Sequence, residues 1–550
     1  MISVLRSAWC MLAALFIFAG CRNTDTTHPT PPAPILTQAA TIQFQPASSS
    51  AGIAFSLTNH GKSPLSILQT AGGGCAFFDY DNDGWPDIVL VGPHNVALYH
   101  NEQNGTFRDV TSGSGLIKDG VWMGCTVGDY DGDGRQDLFV TGYHCCALYR
   151  NLGGGKFKDA TTEAGISGLT WSMSAAFAEI TGSGRLDLFV SQYVEFDPAQ
   201  GSKQTCLVGK LQSACGPEVY PALHGMLFKN IDGRHFKLLP WNDNGKTWGV
   251  LASDLTGTGT SALYEANDMM PGDFWVRHAN SSSLVNEGAA TGTAYDGQGH
   301  VQGGMAVDSG DYDNDGRLDL LVTTYASQPV SLYHNDGAGI FTSVSGPAGL
   351  SAATMTYVKF GAQFADFDND GWLDLVLASG HIRDNVHQVD SAQQYAQPVQ
   401  LFRNRAGHYE DVTAGSGLHG LTLVGRGLSV ADYDHDGKLD ALIVDLEGRA
   451  LLLHNISPGT GHWLEVALFD KKHPANSAGL GATVTADFEG RKLLREVRTS
   501  GSVLSGILPA AHFGLGSCNS PITLQIRWPD GYRQTVKYAT PDARITVIRD

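Results

Sequence analysis

The feature that most constrains this chain is an acidic nine-residue pattern, first present at Asp79–Asp87. Aspartates occupy positions 1, 3, 5 and 9, and a glycine occupies position 6. Carboxylates at this spacing can converge on one hard cation, and the glycine permits the sharp turn that brings them together. Five full copies predict about five Ca²⁺ sites, with these aspartates as ligands: Asp79, Asp81, Asp83, Asp87, Asp129, Asp131, Asp133, Asp137, Asp311, Asp313, Asp315, Asp319, Asp366, Asp368, Asp370, Asp374, Asp432, Asp434, Asp436 and Asp440.

Position 12 of each copy excludes a helix–loop–helix calcium site. Such a loop closes with a glutamate at that position. The five copies instead have apolar residues there, inside runs typical of strands: Leu90, Val140, Val322, Leu377 and Ile443. The ninth-position aspartate must therefore supply the closing carboxylate, and a strand follows the loop.

Two further copies have lost ligands. Glu179–Asp187 keeps the glycine and the last aspartate, and Asp254–Gly259 keeps the first aspartate. We expect these two loops to form the same hairpin with a weak metal site or none. Counting them gives seven repeats, so calcium is expected in repeats 1, 2, 5, 6 and 7.

Each repeat has the pattern of four short antiparallel strands. The loop joins the first two, the third ends in an asparagine such as Asn101, and a glycine follows the aromatic residue of the fourth by eight positions, as in Phe107 and Gly115. Seven such units predict an all-β, seven-bladed β-propeller over residues 41–456. Phe44 and Gly52 keep the same spacing, and the last repeat lacks a fourth strand. Residues 41–53 are therefore expected to complete blade 7 and remove an open sheet edge.

Both ends of the chain differ from the repeats. Residues 457–550 contain alternating apolar runs that predict a small β-sandwich or barrel. Residues 1–21 resemble a bacterial lipoprotein signal peptide, which predicts cleavage before Cys21 and a lipid anchor on its thiol; ordinary secretion is the alternative. Residues 22–40 form a Pro-rich tether. The expected location is the bacterial cell envelope, outward-facing or periplasmic and lipid-anchored, with no other contact with the membrane.

Charge and cysteines limit the function further. The net charge of −19 argues against nucleic acid as a partner, because phosphate binding needs a basic surface. An exported location permits disulfides, and Cys206 and Cys215 are the best pair because they share one insertion. The pairing of the remaining cysteines stays open: Cys75, Cys125, Cys145, Cys146 and Cys518.

The motifs resemble a known family. The loops and their flanks, such as GGGCAFFDYDNDG, resemble FG-GAP/VCBS repeats of integrin-α-type propellers. GLGATVTADFEGRKLLREV, HFGLG and IRWPDGYRQT resemble the ASPIC/UnbV domain of cartilage acidic protein relatives. The resemblance implies extracellular calcium binding and adhesion or partner binding, and it implies no particular chemical activity.

A ligand face is expected opposite the calcium loops. Both long insertions, 192–224 and 380–399, fall in the turn between second and third strands, which opens on that face. The candidate residues there are Trp122, Trp171, Trp248, His300, Lys359, His381, Asp384, His387 and Arg426. The alternatives are that the tryptophans pack between blades and that the His/Asp cluster only supports its insertion.

Two classes of function follow. The favoured one is a surface-anchored calcium-binding module for adhesion or for an extracellular protein or glycan ligand. The alternative is an extracytoplasmic enzyme of lyase or cyclase type, which would need a paired acid and base in an accessible cleft on the same face.

Overall fold

The computed structural model describes residues 42–58, 61–116, 119–201, 205–278 and 283–550. The expected signal peptide 1–21, its Cys21 and the tether 22–40 lie outside these residues. No helix within them is long and apolar enough to cross a membrane. The fold is all-β, with sheets arranged as in a propeller and three short α-helices: α1 (Pro198–Gly201), α2 (Gly288–Thr291) and α3 (Leu350–Thr354).

The repeat region contains the first thirty-one strands, which follow the sequence repeats closely. They are β1 (Phe44–Pro46), β2 (Gly74–Phe78), β3 (Asp87–Gly92), β4 (Asn95–Asn101), β5 (Phe107–Asp109), β6 (Trp122–Gly128), β7 (Asp137–Gly142), β8 (Cys146–Gly153), β9 (Lys156–Asp159), β10 (Ser172–Ala178), β11 (Asp187–Gln192), β12 (Thr205–Val208), β13 (Leu211–Ala214), β14 (Met226–Asn230), β15 (Phe236–Leu239), β16 (Thr247–Ser253), β17 (Ala262–Met270), β18 (Asp273–Arg277), β19 (Leu284–Asn286), β20 (Gln302–Gly310), β21 (Asp319–Thr324), β22 (Ser331–Gly337), β23 (Ile340–Ser343), β24 (Lys359–Ala365), β25 (Asp374–Gly380), β26 (Ala396–Arg405), β27 (His408–Asp411), β28 (Thr422–Leu423), β29 (Gly425–Ala431), β30 (Asp440–Asp445) and β31 (Leu451–Asn455).

Within the described residues these strands form seven antiparallel groups of four, which we call sheets 1 to 7. They are β2–β5, β6–β9, β10 with β11, β14 and β15, β16–β19, β20–β23, β24–β27, and β29–β31 with β1. Three extra pairings occur in these residues, since β12 pairs with β13, β17 also pairs with β20, and β28 pairs with β26. The first strands pack in a closed cycle, from β2 through β6, β10, β16, β20, β24 and β29 back to β2.

The N-terminal segment completes sheet 7. β1 pairs antiparallel with β31, with Phe44 opposite Asn455. Phe44 is 3% exposed and packs edge-on against Phe367 of sheet 6, with ring centroids 5.1 Å apart. This places the first described strand beside the last strand of the repeat region.

The eight-residue spacing has a physical cause. The amides of five fourth-strand aromatics (Phe44, Phe107, Phe157, Phe236 and Tyr409) donate to a carbonyl in the turn that precedes them around the ring, as Phe157 does to Ser114 at 2.7 Å. The glycine that ends this turn has a positive φ, and a Cβ on Gly115 would lie 2.2 Å from the carbonyl oxygen of Phe157. Phe44 donates in the same way to Ser416 of sheet 6. Glycine is therefore required where adjacent sheets meet.

The C-terminal residues form two further sheets. Their strands are β32 (His462–Asp470), β33 (Ala482–Phe488), β34 (Arg491–Val497), β35 (Ala510–Gly516), β36 (Ile522–Arg527), β37 (Arg533–Ala539) and β38 (Ala543–Arg549). The sheet orders are β35-β32-β38, with β32 and β38 parallel, and β34-β33-β36-β37. β33 alternates buried and half-buried residues, as expected of a sheet with one packed face.

Residues 40–550 form one compact unit, because the C-terminal region reaches into the repeat region. The segment 498–508, between β34 and β35, runs along the first strands of the sheets; we call it the axial segment. Each of the seven first strands hydrogen-bonds it: Cys75 to Gly506, Cys125 to Leu504, Ser174 to Leu504, Ala252 to Ser500, Val307 to Ser502, Ala362 to Ser502 and Ser429 to Gly506.

Glycines on the first strands allow this approach. A Cβ on Gly74 would lie 2.0 Å from the carbonyl oxygen of Leu504, and one on Gly124 would lie 2.6 Å from it. Val503 and Leu504 are fully buried against the aromatic core at the centre of the sheets. The sequence analysis predicted a small β-sandwich or barrel over residues 457–550 and did not predict this segment, which fills the axis of the repeat region.

Candidate metal centres and the opposite face

The five acidic loops share one backbone geometry. The first aspartate accepts hydrogen bonds from the amides of residues 5 and 6, as Asp79 does from Asp83 at 3.1 Å and Gly84 at 2.9 Å. The fourth residue adopts a left-handed conformation, with φ of 60° at Asn82 and 61° at His435. Asparagine, glycine and histidine at this position suit that backbone. The turn therefore directs the first, third and fifth carboxylates inward.

The ninth aspartate connects the loop to its sheet. Asp87 is fully buried and accepts from the amides of Asn101 at 2.8 Å and Tyr80 at 3.2 Å. Burial, with the neighbouring aspartates, raises the pKa of Asp87 to about 9, that of Asp319 to about 9 and that of Asp440 to about 8. In loops 1, 5 and 7 the buried ninth carboxyl group therefore favours its protonated form in the absence of a cation.

Buried oxygens in these loops fit a cation. Asp81 Oδ1 and Asp434 Oδ1 have no solvent contact and no hydrogen-bond partner. Buried polar atoms are normally paired, and a cation bound in the loop would satisfy these oxygens. Clusters that could hold a metal include Asp79 with Asp81 and Asp83, and Asp129 with Asp131 and Asp137. Oxygen ligands of this kind suit Ca²⁺.

The residue before the third-strand asparagine also faces each acidic loop. It is histidine in loops 1, 5 and 7 (His100, His334, His454) and arginine in loops 2 and 6 (Arg150, Arg403). The sequence analysis missed these residues, although the endings HN and RN of the third strands carried the signal.

The two altered loops contain an arginine in place of ligands. In repeat 3, Arg277 Nη2 lies 3.4 Å from Glu179. In repeat 4, Arg527 Nη1 lies 3.2 Å from Asp254 Oδ2, which also accepts from the amide of Gly259. A guanidinium thus supplies positive charge where the sequence had lost its acidic ligands.

The C-terminal sheets contact the acidic loops of repeats 2, 6 and 7. Ser477 Oγ donates to Asp129 at 2.5 Å, Arg544 Nη2 lies 2.8 Å from Asp432 Oδ2, and His512 Nε2 lies 2.9 Å from Asn369 Oδ1. These three loops are therefore part of an internal interface, whereas Asn82, Asp83 and Gly84 of loop 1 are exposed.

On the opposite face, the predicted aromatic candidates are buried. Trp122, Trp171 and Trp248 are between 0% and 3% exposed. Trp171 and Trp248 both contact Tyr193, with ring centroids 5.3 and 5.0 Å apart. Their placement favours the interpretation that they pack between sheets over a role as an open ligand surface.

The basic candidates on this face are buried as well. Lys359 Nζ donates to the carbonyls of Tyr325, Gln328 and Thr354. Arg426 donates to Thr70, Gly380, Gly425 and His381, and its guanidinium lies 3.9 Å from the centre of the Phe360 ring. Each of these two side chains donates hydrogen bonds to several backbone carbonyls and so links neighbouring segments below the insertion-bearing face.

The His/Asp cluster of the second insertion separates in the structure. His381 is 2% exposed and lies 3.3 Å from the hydroxyl of Tyr325; burial lowers the pKa of His381 to about 3. Asp384 accepts from the amide of Leu65 at 3.0 Å, and His387 is exposed. His300 is exposed beside Asp296. His381 is thus neutral near pH 7, held inside the insertion.

The two insertions meet on this face, as their shared turn position predicts. Ser213 Oγ donates to Asn385 Oδ1 at 2.8 Å, and Asn385 Nδ2 donates to the carbonyl of Gln212 at 2.9 Å. The first insertion also contains the disulfide Cys206–Cys215. Together the two insertions pack over one end of the axis, in the same buried cluster as Val503 and Leu504 of the axial segment.

Comparisons with known proteins agree with the motifs. The FG-GAP-like repeat matches residues 79–140, 129–190 and 311–377, and the ASPIC and UnbV domain matches residues 472–550. The family predicted from the sequence is thereby confirmed: the chain is an FG-GAP-repeat protein with a C-terminal ASPIC/UnbV domain.

Among curated proteins, the chain is similar to cartilage acidic protein 1. The human protein is 25% identical over 304 residues, which cover 52% of this chain and 41% of that protein. The Xenopus tropicalis protein is 24% identical over 294 residues, covering 52% and 42%. The matched part of this chain thus spans less than half the length of these relatives.

Solved structures with a similar fold have low sequence identity. An Agrocybe aegerita lectin that recognises non-reducing terminal N-acetylglucosamine has a TM-score of 0.39 and 15% identity, over 67% of this chain and 84% of the lectin. YCF48 from Cyanidioschyzon merolae has a TM-score of 0.40 and 10% identity, over 73% and 98%.

Proposed function

We propose that this chain is a seven-bladed, calcium-stabilised propeller that binds an extracellular protein or glycan and serves in adhesion or ligand capture. The observation that carries the proposal is the position of the C-terminal region. It contacts the acidic loops of repeats 2, 6 and 7 and fills the axis through the axial segment, so the face with the two insertions is the more open one for a partner.

Exposed apolar side chains on that face support the proposal. Leu207 is 72% exposed, Val219 50%, Met269 45%, Met355 40% and Val389 39%. They lie in the two insertions, at the end of β17, and in the connection between sheets 5 and 6. Exposed apolar side chains contribute to binding surfaces where they form one patch.

Calcium would act as a structural cation in this function. The acidic loops would hold it through the carboxylates of the first, third, fifth and ninth positions, and it would neutralise charges that otherwise repel one another. The ninth aspartate then holds the third-strand asparagine, whose side chain bonds the neighbouring sheet, as Asp87 does with Asn101.

The test is an array of glycans and extracellular proteins probed with residues 40–550, which form one compact unit. A ligand found with the wild type should lose affinity in Leu207→Asp and Met269→Asp. Ile231→Asp is the matched control, because Ile231 is 50% exposed in the turn between β14 and β15, on the acidic-loop side. Equal loss in the control, or retention in both test variants, contradicts the proposal.

The location is proposed from the sequence alone. We propose that Cys21 is lipidated and holds the protein at the bacterial cell envelope. Cys21→Ser should move the protein from the membrane fraction to the soluble fraction and abolish metabolic lipid labelling. Unchanged labelling would contradict the anchor without affecting the ligand-binding proposal.

A further inference from the structure

Histidine nitrogen atoms point into three of the five acidic loops. His100 Nδ1 lies 3.4 Å from Asp81 Oδ2 and 3.3 Å from Asp87 Oδ1. His334 Nδ1 lies 3.3 Å from both Asp313 Oδ2 and Asp319 Oδ1. In loop 7, His454 Nδ1 lies 3.6 Å from Asp434 Oδ2 and 3.2 Å from Asp440 Oδ1.

Guanidinium groups occupy the same position in the other two loops. Arg150 Nε lies 2.5 Å from Asp131 Oδ2. Arg403 Nη2 lies 2.5 Å from Asp368 Oδ2 and 3.1 Å from Asp370 Oδ2. Asp368 is fully buried, so this contact places a fixed positive charge among the carboxylates. In these loops the chain itself supplies much of the charge that a cation would bring.

From this division we infer that loops 1, 5 and 7 are mixed nitrogen–oxygen sites that bind first-row divalent metals such as Mn²⁺ and Zn²⁺ in addition to calcium. In loops 2 and 6 an arginine takes the place of the histidine and supplies no nitrogen ligand. The inference rests on the proposed metal-binding role of the acidic loops. Beyond that role, it distinguishes loops 1, 5 and 7 from loops 2 and 6, and it names histidine Nδ1 as the ligand atom that sets them apart.

The chemistry of the donor set supports this assignment. Calcium and magnesium take oxygen ligands almost exclusively, whereas imidazole suits zinc, iron, nickel and copper, and carboxylates suit manganese. In each of the three loops, one histidine nitrogen and two carboxylate oxygens lie within 4.8 Å of one another. Ligands at about 2.0–2.2 Å from one ion are separated by roughly 3–3.5 Å, which these distances fit.

Unsatisfied buried atoms provide a second, independent indication. Asp81 Oδ1 and Asp434 Oδ1 are buried without a hydrogen-bond partner, and His100 Nδ1 and His334 Nδ1 are buried beside loop carboxylates at 3.3 Å without forming a well-directed hydrogen bond. A buried donor or acceptor without a partner is costly unless a ligand satisfies it. His334 Nε2 also faces Asp336 Oδ1 at 3.7 Å, the kind of outer carboxylate that orients a metal-bound imidazole.

The test uses Mn²⁺ as the probe on the full chain. Electron spin-echo modulation of the bound Mn²⁺ should show ¹⁴N coupling from imidazole in the wild type. A variant with His100→Ala, His334→Ala and His454→Ala should lose that coupling, and its Mn²⁺ affinity should fall by at least the roughly 10–100-fold seen when a metal site loses an outer partner.

Matched changes in the arginine loops complete the experiment. Arg150→Ala should leave the ¹⁴N signal unchanged, and Arg403→His should add a further nitrogen-coupled Mn²⁺ site. Absence of ¹⁴N coupling in the wild type overturns the inference, and this measurement needs no variant. If calcium still raises the melting temperature in that case, the proposed structural role of calcium stands while the histidine sites fail.

Discussion

The side-chain amide of Asn101 donates a 2.9 Å hydrogen bond to the backbone carbonyl of Tyr433, which lies 332 residues further along the chain. The same amide donates to Pro86 in its own loop. Equivalent asparagines link sheets 2, 3, 5, 6 and 7 to their preceding neighbours: Asn151, Asn230, Asn335, Asn404 and Asn455. In sheet 4, Arg277 Nε reaches Ile180 at 3.2 Å. The loops thus form a hydrogen-bonded cycle.

Asn101→Ala should lower the free energy of unfolding by about 1–3 kcal/mol, because it leaves two buried carbonyls without a donor. Calorimetry measures this change. Asn104→Ala is the control, since Asn104 is exposed and bonds only within its own turn. Equal melting temperatures for both variants would show that the cycle does not contribute to stability.

Phe44→Ala should cost roughly 3–5 kcal/mol, as expected for the loss of a buried phenylalanine. Phe44 lies against Phe367, so the change also opens the contact between sheets 6 and 7. Gln45→Ala in the same strand exposes no core, since Gln45 is already exposed. Denaturant unfolding of the two variants compares the effects, and similar midpoints would contradict the closure of sheet 7 by β1.

Gly74→Ala tests the axial segment, because the added methyl would lie 2.0 Å from the carbonyl oxygen of Leu504. The first strand or the axial segment must then move, and we expect a loss of about 1–3 kcal/mol, as for overpacking in a core. Gly415→Ala is the control, since no atom lies within 4 Å of its added methyl. Chemical denaturation should separate the two variants. Matching unfolding curves would show that the axial segment does not pack tightly.

Stability without metal should fall as pH rises. Folding of the metal-free chain raises the pKa of Asp87 and Asp319 from 3.8 to about 9. A carboxyl with a raised pKa binds more protons when folded, so its contribution is fully present below pH 4 and lost as pH rises toward 9. Melting temperatures in metal-free buffer should decrease between pH 5 and 8.5, and calcium should reverse the decrease. A flat profile would contradict this charge balance.

Local patterns predicted the loops, the third-strand asparagines and the N-terminal strand, because each depends on spacing within a single repeat. The axial segment was not predictable in this way. Leu504 bonds Cys125 and Ser174, which lie hundreds of residues earlier in the chain, so no local pattern can indicate these contacts. The sequence SGSVLSG around Leu504 also has no strand periodicity.

The opposite face shows a different limit of sequence reasoning. Trp171, Lys359 and Arg426 are residue types common in binding sites, and their position near the face was predicted. Trp171 packs against Phe196 of the first insertion, and Arg426 donates to the carbonyl of His381 in the second. Lys359 is instead held by the carbonyls of Tyr325, Gln328 and Thr354, outside both insertions. Composition cannot show which of two long loops covers which side chain, so the residue types alone suggested an open site.

The most direct test of this account is calorimetry of residues 40–550 in metal-free buffer and in about 5 mM calcium at pH 7.5. Extracellular calcium sites bind at about 0.1–1 mM, so each occupied loop should add about 1–2 kcal/mol. Several loops together should raise the melting temperature by several degrees, and Asp311→Ala should remove part of that rise. Identical melting curves with and without calcium would contradict the claim that the acidic loops hold structural cations.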